Sequence, residues 1–214
     1  MIVINFKSYK FGKEAVKLAG MIRRHLPNAI VCVNFVDIIS VGEVNKKVYS
    51  QHVNYNRDGR GTGYVYSNAL KSVGTKGTLL NHSEHRISLD KIKDRLVECK
   101  KSGLEVILCA ANMREVKIFS KLNLKPYAIA FEDPKLIGSG KSITEHKSKD
   151  IVKFVRILKD SGIKSLCGAG ISSALDVEKA RELGCDGILI ASAIAKVKNP
   201  EKLLVELRKF DKKW

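Results

Sequence analysis

Three short segments carry the residue types that move protons and bind anions: Asn5-Phe6-Lys7, Asn81-His82-Ser83-Glu84-His85-Arg86, and Phe131-Glu132-Asp133-Pro134-Lys135-Leu136-Ile137-Gly138-Ser139-Gly140. Each begins at the end of a short apolar run. Moving a proton between two carbons that flank a carbonyl and a hydroxyl needs a base that visits both carbons, and donors that stabilise the oxygens of the enediolate between them. Glu132 suits the first task, because desolvation at the end of the run 127–131 raises a carboxylate's basicity. His82 suits the second as a neutral imidazole. Lys7 adds a fixed positive charge, and Asn5 a hydrogen-bond donor.

Taken singly, these residues have plainer readings. Glu132 is also what an ordinary strand-to-loop junction looks like, His82 a buried histidine satisfied by backbone groups, and Lys7 a solvated lysine. Three small-residue turns, Ile137-Gly138-Ser139-Gly140, Gly168-Ala169-Gly170 and Ala191-Ser192, can present backbone N–H groups to a phosphate, although glycines also end strands for conformational reasons alone. Gly138-Ser139-Gly140-Lys141-Ser142 ends like a nucleotide-binding P-loop, but the full pattern requires glycine where Lys135 stands. The pair His82-x-x-His85 has a metal-ligand spacing with no third ligand, so no metal is expected.

The elements that must position these residues read as strands at 2–6, 29–33, 47–50, 77–80, 104–109, 127–131, 163–167 and 186–190. Several are continuous apolar runs, the mark of strands covered on both faces. Helical three-and-four spacing lies between them, as in Ala15, Val16, Ala19, Ile22 and in Ile151, Val152, Val155, Leu158. Short helices are expected near 37–44 and 67–73; Ser172 is expected to cap a helix ending before Gly184, and Asn199-Pro200 to open the last one. The segment 52–63 is the longest loop. Alternation of eight strands with helices predicts an α/β fold, a single-domain (β/α)8 barrel over 1–214, with a doubly wound open sheet as the rival. At 214 residues the chain is short for such a barrel, which typically needs about 250 and at least about 200. In a barrel the active site lies at the C-terminal ends of the strands, where all the segments above fall.

Composition narrows the partners. No apolar run is long enough to span a membrane, and 44% apolar content supports a globular core. Residues 1–7 lack a basic leader region and a small-residue cleavage site, and Cys32, Cys99, Cys109, Cys167 and Cys185 form no C-x-x-C, so a reducing cytoplasm is expected. Lys plus Arg outnumber Asp plus Glu by 39 to 22, a formal charge of +17. That excess fits nucleic acid, anionic metabolites or a solvated lysine surface; without a long basic tail or basic-aromatic interleaving, the surface reading is preferred and nucleic acid is not expected.

The set Asn5-x-Lys7, His82-Ser83-Glu84-x-Arg86, Ala130-Phe131-Glu132-x-x-x-x-Ile137-Gly138-x-Gly140 and Cys167-Gly168-Ala169-Gly170 resembles the motifs of the triosephosphate isomerase family, in that family's order and across nearly the whole chain. The likeness is to its short archaeal form. The resemblance implies a TIM barrel, without metal or organic cofactor, that interconverts dihydroxyacetone phosphate and D-glyceraldehyde 3-phosphate in glycolysis and gluconeogenesis. It assigns Glu132 as proton-shuttling base, His82 as electrophile, Asn5 and Lys7 as substrate binders, and Glu84 as the residue that positions Lys7. Ile137 and Gly138 would belong to a lid over the phosphate, and Gly170, Ala191 and Ser192 to its cradle. A homotetramer is implied as well, with the Thr62 loop reaching a neighbouring subunit.

Three departures from the family pattern bear on this. Asp133 stands where proline is usual and is expected to alter the lid hinge or repel phosphate. Ala193 replaces a glycine beside the cradle, and Tyr64 and His85 replace a Glu–Arg ion pair. Alternatives that keep the residues but change the role are another phosphate-binding barrel, such as a ribulose-phosphate epimerase or a thiamine-phosphate synthase, and a non-catalytic basic scaffold.

Overall fold

The computed structural model describes residues 1–55 and 59–212. Eight parallel strands, β1 (Ile2–Asn5), β2 (Ile30–Val33), β3 (Val48–Ser50), β4 (Gly77–Leu80), β5 (Glu105–Ala110), β6 (Ala128–Phe131), β7 (Lys164–Gly168) and β8 (Gly187–Ile190), close into a barrel in sequence order. The ring shuts where Val3 pairs with Leu189. The open-sheet rival is thereby excluded.

Alternation along each strand builds two cores. In β1, Val3 faces a barrel interior shared with Cys32, Tyr49, Leu79, Ile107 and Leu189, whereas Ile2 and Ile4 join the layer between sheet and helices. Both faces are dry, so the strands read as unbroken apolar runs. The helix Gly12–His25 supplies Ala15, Leu18, Ala19 and Ile22 to the outer layer, and Ser148–Leu158 supplies Ile151, Phe154 and Leu158. Short helices at Ile38–Val44 and Ser67–Ser72 fall where expected.

One helix start differs in detail from the sequence reading. Ser173, not Ser172, caps Ala174–Glu182: its hydroxyl accepts from the Asp176 amide at 3.1 Å and Asp176 accepts from the Ser173 amide at 3.0 Å. Ser172 stands one residue outside, donating its own amide to Asp176 at 3.0 Å, so both serines serve one carboxylate. Asn199 does receive the Glu201 amide at 3.1 Å, with Pro200 already in helical conformation. Residues 56–58 of the expected long loop lie outside the described residues; its flanks are joined by Asn54 and Val65, whose amide–carbonyl bond is 2.7 Å.

Candidate active site

Asn5 is the last residue of β1 and is 3% exposed. Its Oδ1 accepts from the Lys7 amide at 3.0 Å and from Gln51 Nε2 at 3.1 Å, and Gln51 Nε2 also donates to the Lys7 carbonyl at 2.9 Å. These bonds hold Lys7 at φ +47°, a left-handed conformation that costs a non-glycine residue roughly 1–2 kcal/mol. The turn aims Lys7 Nζ at Glu84 Oε1, 2.7 Å away. Gln51, at the end of β3, was not singled out from sequence, because nothing local distinguishes it from any polar residue after a strand.

His82 follows β4 behind a second left-handed residue, Asn81 at φ +61°. Asn81 ties this corner down by donating to the Cys109 carbonyl at 3.0 Å and accepting from the Ile87 amide at 3.1 Å. His82 Nδ1 accepts from the Glu84 amide at 3.2 Å, which assigns the proton of the neutral ring to Nε2. Burial, reinforced by the Lys7 charge, pushes the His82 pKa down to about 4, with Glu84 opposing. At neutral pH the ring is therefore an uncharged Nε2–H donor.

Glu132 follows β6 and is 7% exposed. Its Oε2 lies 3.5 Å from His82 Nε2 and is buried with no hydrogen-bond partner among the described residues. Burial raises its pKa to about 7; Lys7 opposes that rise, Glu84 adds to it, and the Ala169 amide opposes it. Ala169 offers that amide from φ +72°. Gly168 makes room: a Cβ there would sit 2.7 Å from Glu132 Cγ and 2.8 Å from Oε1. The result is a carboxyl group that titrates near neutrality beside an uncharged N–H donor.

The segment expected to form a lid runs through turns from Pro134 to Gly138. Ile137 packs half-buried against the outer core, and Gly138 and Gly140 adopt φ +73° and +76°. Its far end rests on the β7 turn, where a Cβ at Gly170, φ +71°, would meet the Lys141 carbonyl oxygen at 2.0 Å. Asp133 is occupied within the turn: one oxygen accepts from the Lys135 amide at 3.0 Å and the other lies 3.5 Å from Lys147 Nζ. A lysine therefore stands beside its charge, shared with Asp150 at 3.8 Å. Ala191 and Ser192 follow β8, which sits between β7 and β1, so they stand between Gly170 and the Asn5–Lys7 corner. Ala193 is half-buried in that short helix. His85 donates its amide to the His82 carbonyl at 2.8 Å and stacks its ring on His52 at 3.7 Å, while Tyr64 meets Tyr66 edge-on.

Contacts therefore link Asn5, Lys7, Glu84, His82 and Glu132 in one chain. A cavity of about 400 Å³ opens from Asn5, Lys7, His82 and Glu84 towards Gln51 and His52. The family model for triosephosphate isomerase matches residues 1–207.

The chain belongs to the triosephosphate isomerase family. It is 39% identical to the triosephosphate isomerase of Methanocaldococcus jannaschii, covering 98% of this chain and 99% of that one. With the Saccharolobus solfataricus enzyme the identity is 41%, over 95% and 92% of the two chains. The crystal structure of the Bartonella henselae triosephosphate isomerase superposes with a TM-score of 0.72 over 96% of each chain at 16% identity, a likeness of fold. A neutral histidine beside a glutamate is a known feature of triosephosphate isomerases, and the low His82 pKa accords with membership of that family.

Proposed function

We propose that this chain is a triosephosphate isomerase that interconverts dihydroxyacetone phosphate and D-glyceraldehyde 3-phosphate through an enediol(ate), serving glycolysis and gluconeogenesis. The observation that carries the reading is the buried, unpartnered Glu132 Oε2 set 3.5 Å from the His82 Nε2 that bears the proton. In the forward direction Glu132 takes a proton from the hydroxyl-bearing carbon and becomes a carboxylic acid. As the neighbouring carbonyl oxygen gains charge, His82 Nε2–H and the Lys7 ammonium stabilise it. The hydroxyl proton passes from the first oxygen to the former carbonyl oxygen, relayed at His82 Nε2, and Glu132 returns its own proton to the second carbon, so that the carbonyl and hydroxyl exchange places. Asn5 Oδ1 is already engaged by Lys7 and Gln51, which leaves the Nδ2 hydrogens for substrate.

Phosphate binding falls to Gly170, Ala191 and Ser192, with Ile137 and Gly138 of the lid closing over it, in keeping with the recurrent barrel phosphate site after strands seven and eight. Closure excludes water and disfavours loss of phosphate from the enediolate. Glu84 positions Lys7 and, through its amide, the His82 tautomer. All of this chemistry is proton transfer by side chains of one barrel domain.

A homo-oligomer, a tetramer before a dimer, and a cytoplasmic site of action complete the proposal. The large apolar side chains of Phe35, Val36 and Ile39 are more than half exposed, and Phe35 borders the active-site cavity, which supports a protein partner on that side. No helix among the described residues is long and apolar enough to cross a membrane. A coupled isomerase assay on purified, exhaustively chelated protein tests the reading. Turnover of triose phosphates is expected, whereas activity confined to pentose phosphates, or lost on chelation, would replace it with another barrel chemistry. Light scattering on the same preparation reads the subunit number.

A further inference from the structure

The reaction uses the C-terminal ends of the strands and leaves the charge of +17 without a role. In a parallel barrel every strand starts on the opposite face, so a residue just before a strand stands on that rim wherever it lies in the sequence. Lys47 precedes β3, Lys76 precedes β4, and Lys164 opens β7. Backbone ladder bonds fix each place: the Val31 amide donates to the Lys47 carbonyl at 3.0 Å, the Lys76 amide to Val48 at 3.0 Å, and the Lys164 amide to Tyr127 at 3.2 Å. With Lys46 and Lys71 they border a recess of about 960 Å³ at the N-terminal mouth of the barrel.

The ammonium groups there lean on neutral oxygens. Lys47 Nζ donates to the Asn28 side chain at 3.2 Å, Lys71 to the Gly103 carbonyl at 3.1 Å, Lys46 to the Gly42 carbonyl at 2.9 Å, and Lys164 to the Tyr127 hydroxyl at 2.8 Å. Among the described residues none of the five lysines has a carboxylate within 4.0 Å. Two carboxylates border the recess and both are engaged, Glu105 by the Tyr49 hydroxyl and Asp211 by the Asn28 amide at 3.1 Å. Six lysines, Lys212 among them, thus border the recess against two carboxylates, and a multivalent anion relieves the repulsion left by the excess positive charge.

We propose that this recess binds a compact oligophosphate, a short chain of linked phosphates carrying three or more negative charges, with Lys47, Lys76 and Lys164 as its principal donors. Lysine's compact, rotatable ammonium suits oxygens spread around a phosphate chain, where a planar carboxylate would favour arginine. The volume falls within the range of small-molecule sites, about 300–1,000 Å³. Nucleic acid is the poorer fit, since strand binding needs free aromatic faces for bases to stack on. Tyr49 is buried, and the Tyr127 ring lies under Lys164 Nζ at 4.6 Å.

Titration calorimetry of the full chain with inorganic tripolyphosphate at low ionic strength tests this. Binding should weaken steeply with added salt and exceed that of orthophosphate at least tenfold. The triple variant Lys47→Ala, Lys76→Ala, Lys164→Ala should lose at least tenfold in affinity with unchanged isomerase turnover. A control with the same loss of charge at the exposed Lys17, Lys153 and Lys202 should bind as the parent does. Both variants keep the active site, so the comparison removes any binding there. Equal affinity in the two variants, no binding by the parent, or tighter binding of a labelled DNA strand through the same three lysines would each overturn the proposal.

Discussion

Replacing Gly168 with alanine tests whether the position of Glu132, rather than its mere presence, sets the rate. The φ of Gly168 lies outside the left-handed region, so an alanine backbone is unstrained there and the perturbation acts on its neighbour. The added Cβ would lie 2.7 Å from Glu132 Cγ, where carbon atoms ordinarily rest about 3.5–4.0 Å apart. Glu132 must therefore retreat by about 1 Å. A misplacement of about 1 Å at a reacting group costs on the order of 100-fold. That is about 2.7 kcal/mol of transition-state stabilisation at 1.36 kcal/mol per tenfold. Steady-state kinetics should show kcat reduced by about two orders of magnitude with KM altered far less, because Lys7, His82 and the phosphate cradle stay in place. Overpacking of this kind costs about 1–3 kcal/mol, so circular dichroism must confirm a folded protein at the assay temperature. A folded variant whose kcat stays within threefold of the parent would refute the argument.

Three further outcomes follow from the same charges. The acid limb of kcat/KM should fall with an apparent pKa of about 7, from Glu132, with no second limb from His82 above pH 5, since its pKa is about 4; a flat profile down to pH 5 would contradict this. Folding raises the Glu132 pKa from 4.5 to about 7, so the native state binds the proton more tightly, and stability falls as pH rises through that window and stays reduced above it. Glu132→Gln carries no such penalty and should be more stable than the parent at pH 8 by on the order of 1–3 kcal/mol, a gain that shrinks towards pH 5. The His82 shift has the opposite sign, adding stability as pH rises from 4 to 6.5, and at pH 8 the ring is neutral in the folded and unfolded chain alike, so it does not enter that comparison; equal denaturation midpoints at pH 8 would sink the expectation. Lys7→Met should lower kcat/KM by roughly 10²–10³ and move the acid limb upward, because Lys7 is the largest influence holding the Glu132 pKa down; an unmoved limb would separate the two residues.

Strand positions were legible because both faces of each strand are buried, so apolar runs alone mark them. The small offsets have a cause: Leu104 and Ile163 are buried and read as strand, yet the ladders begin one residue later, at Glu105 and Lys164. The barrel then brought Asn5, Lys7, His82 and Glu132 to one rim, since residues after parallel strands share a face. What sequence could not show depends on three-dimensional contact. Gln51 acts by bonding across to β1, and Asp133 stands beside a lysine that returns from beyond the lid. The space Glu132 needs is set by a glycine on the adjacent strand. Ser172 and Ser173 are alike in composition, and only the geometry of the following turn selects the cap. The lysine rim is likewise invisible until the strand starts are known to share a face.

Turnover by Glu132→Gln asks whether Glu132 carries the proton between the two carbons. The amide is close to isosteric with the carboxylate but cannot accept the proton. The variant's kcat should fall by at least about 10²–10⁴-fold, the usual contribution of a general base, and substrate exchange of carbon-bound hydrogen with deuterated water should fall with it while KM changes modestly. Near-normal turnover with exchange intact would show that another group moves the proton.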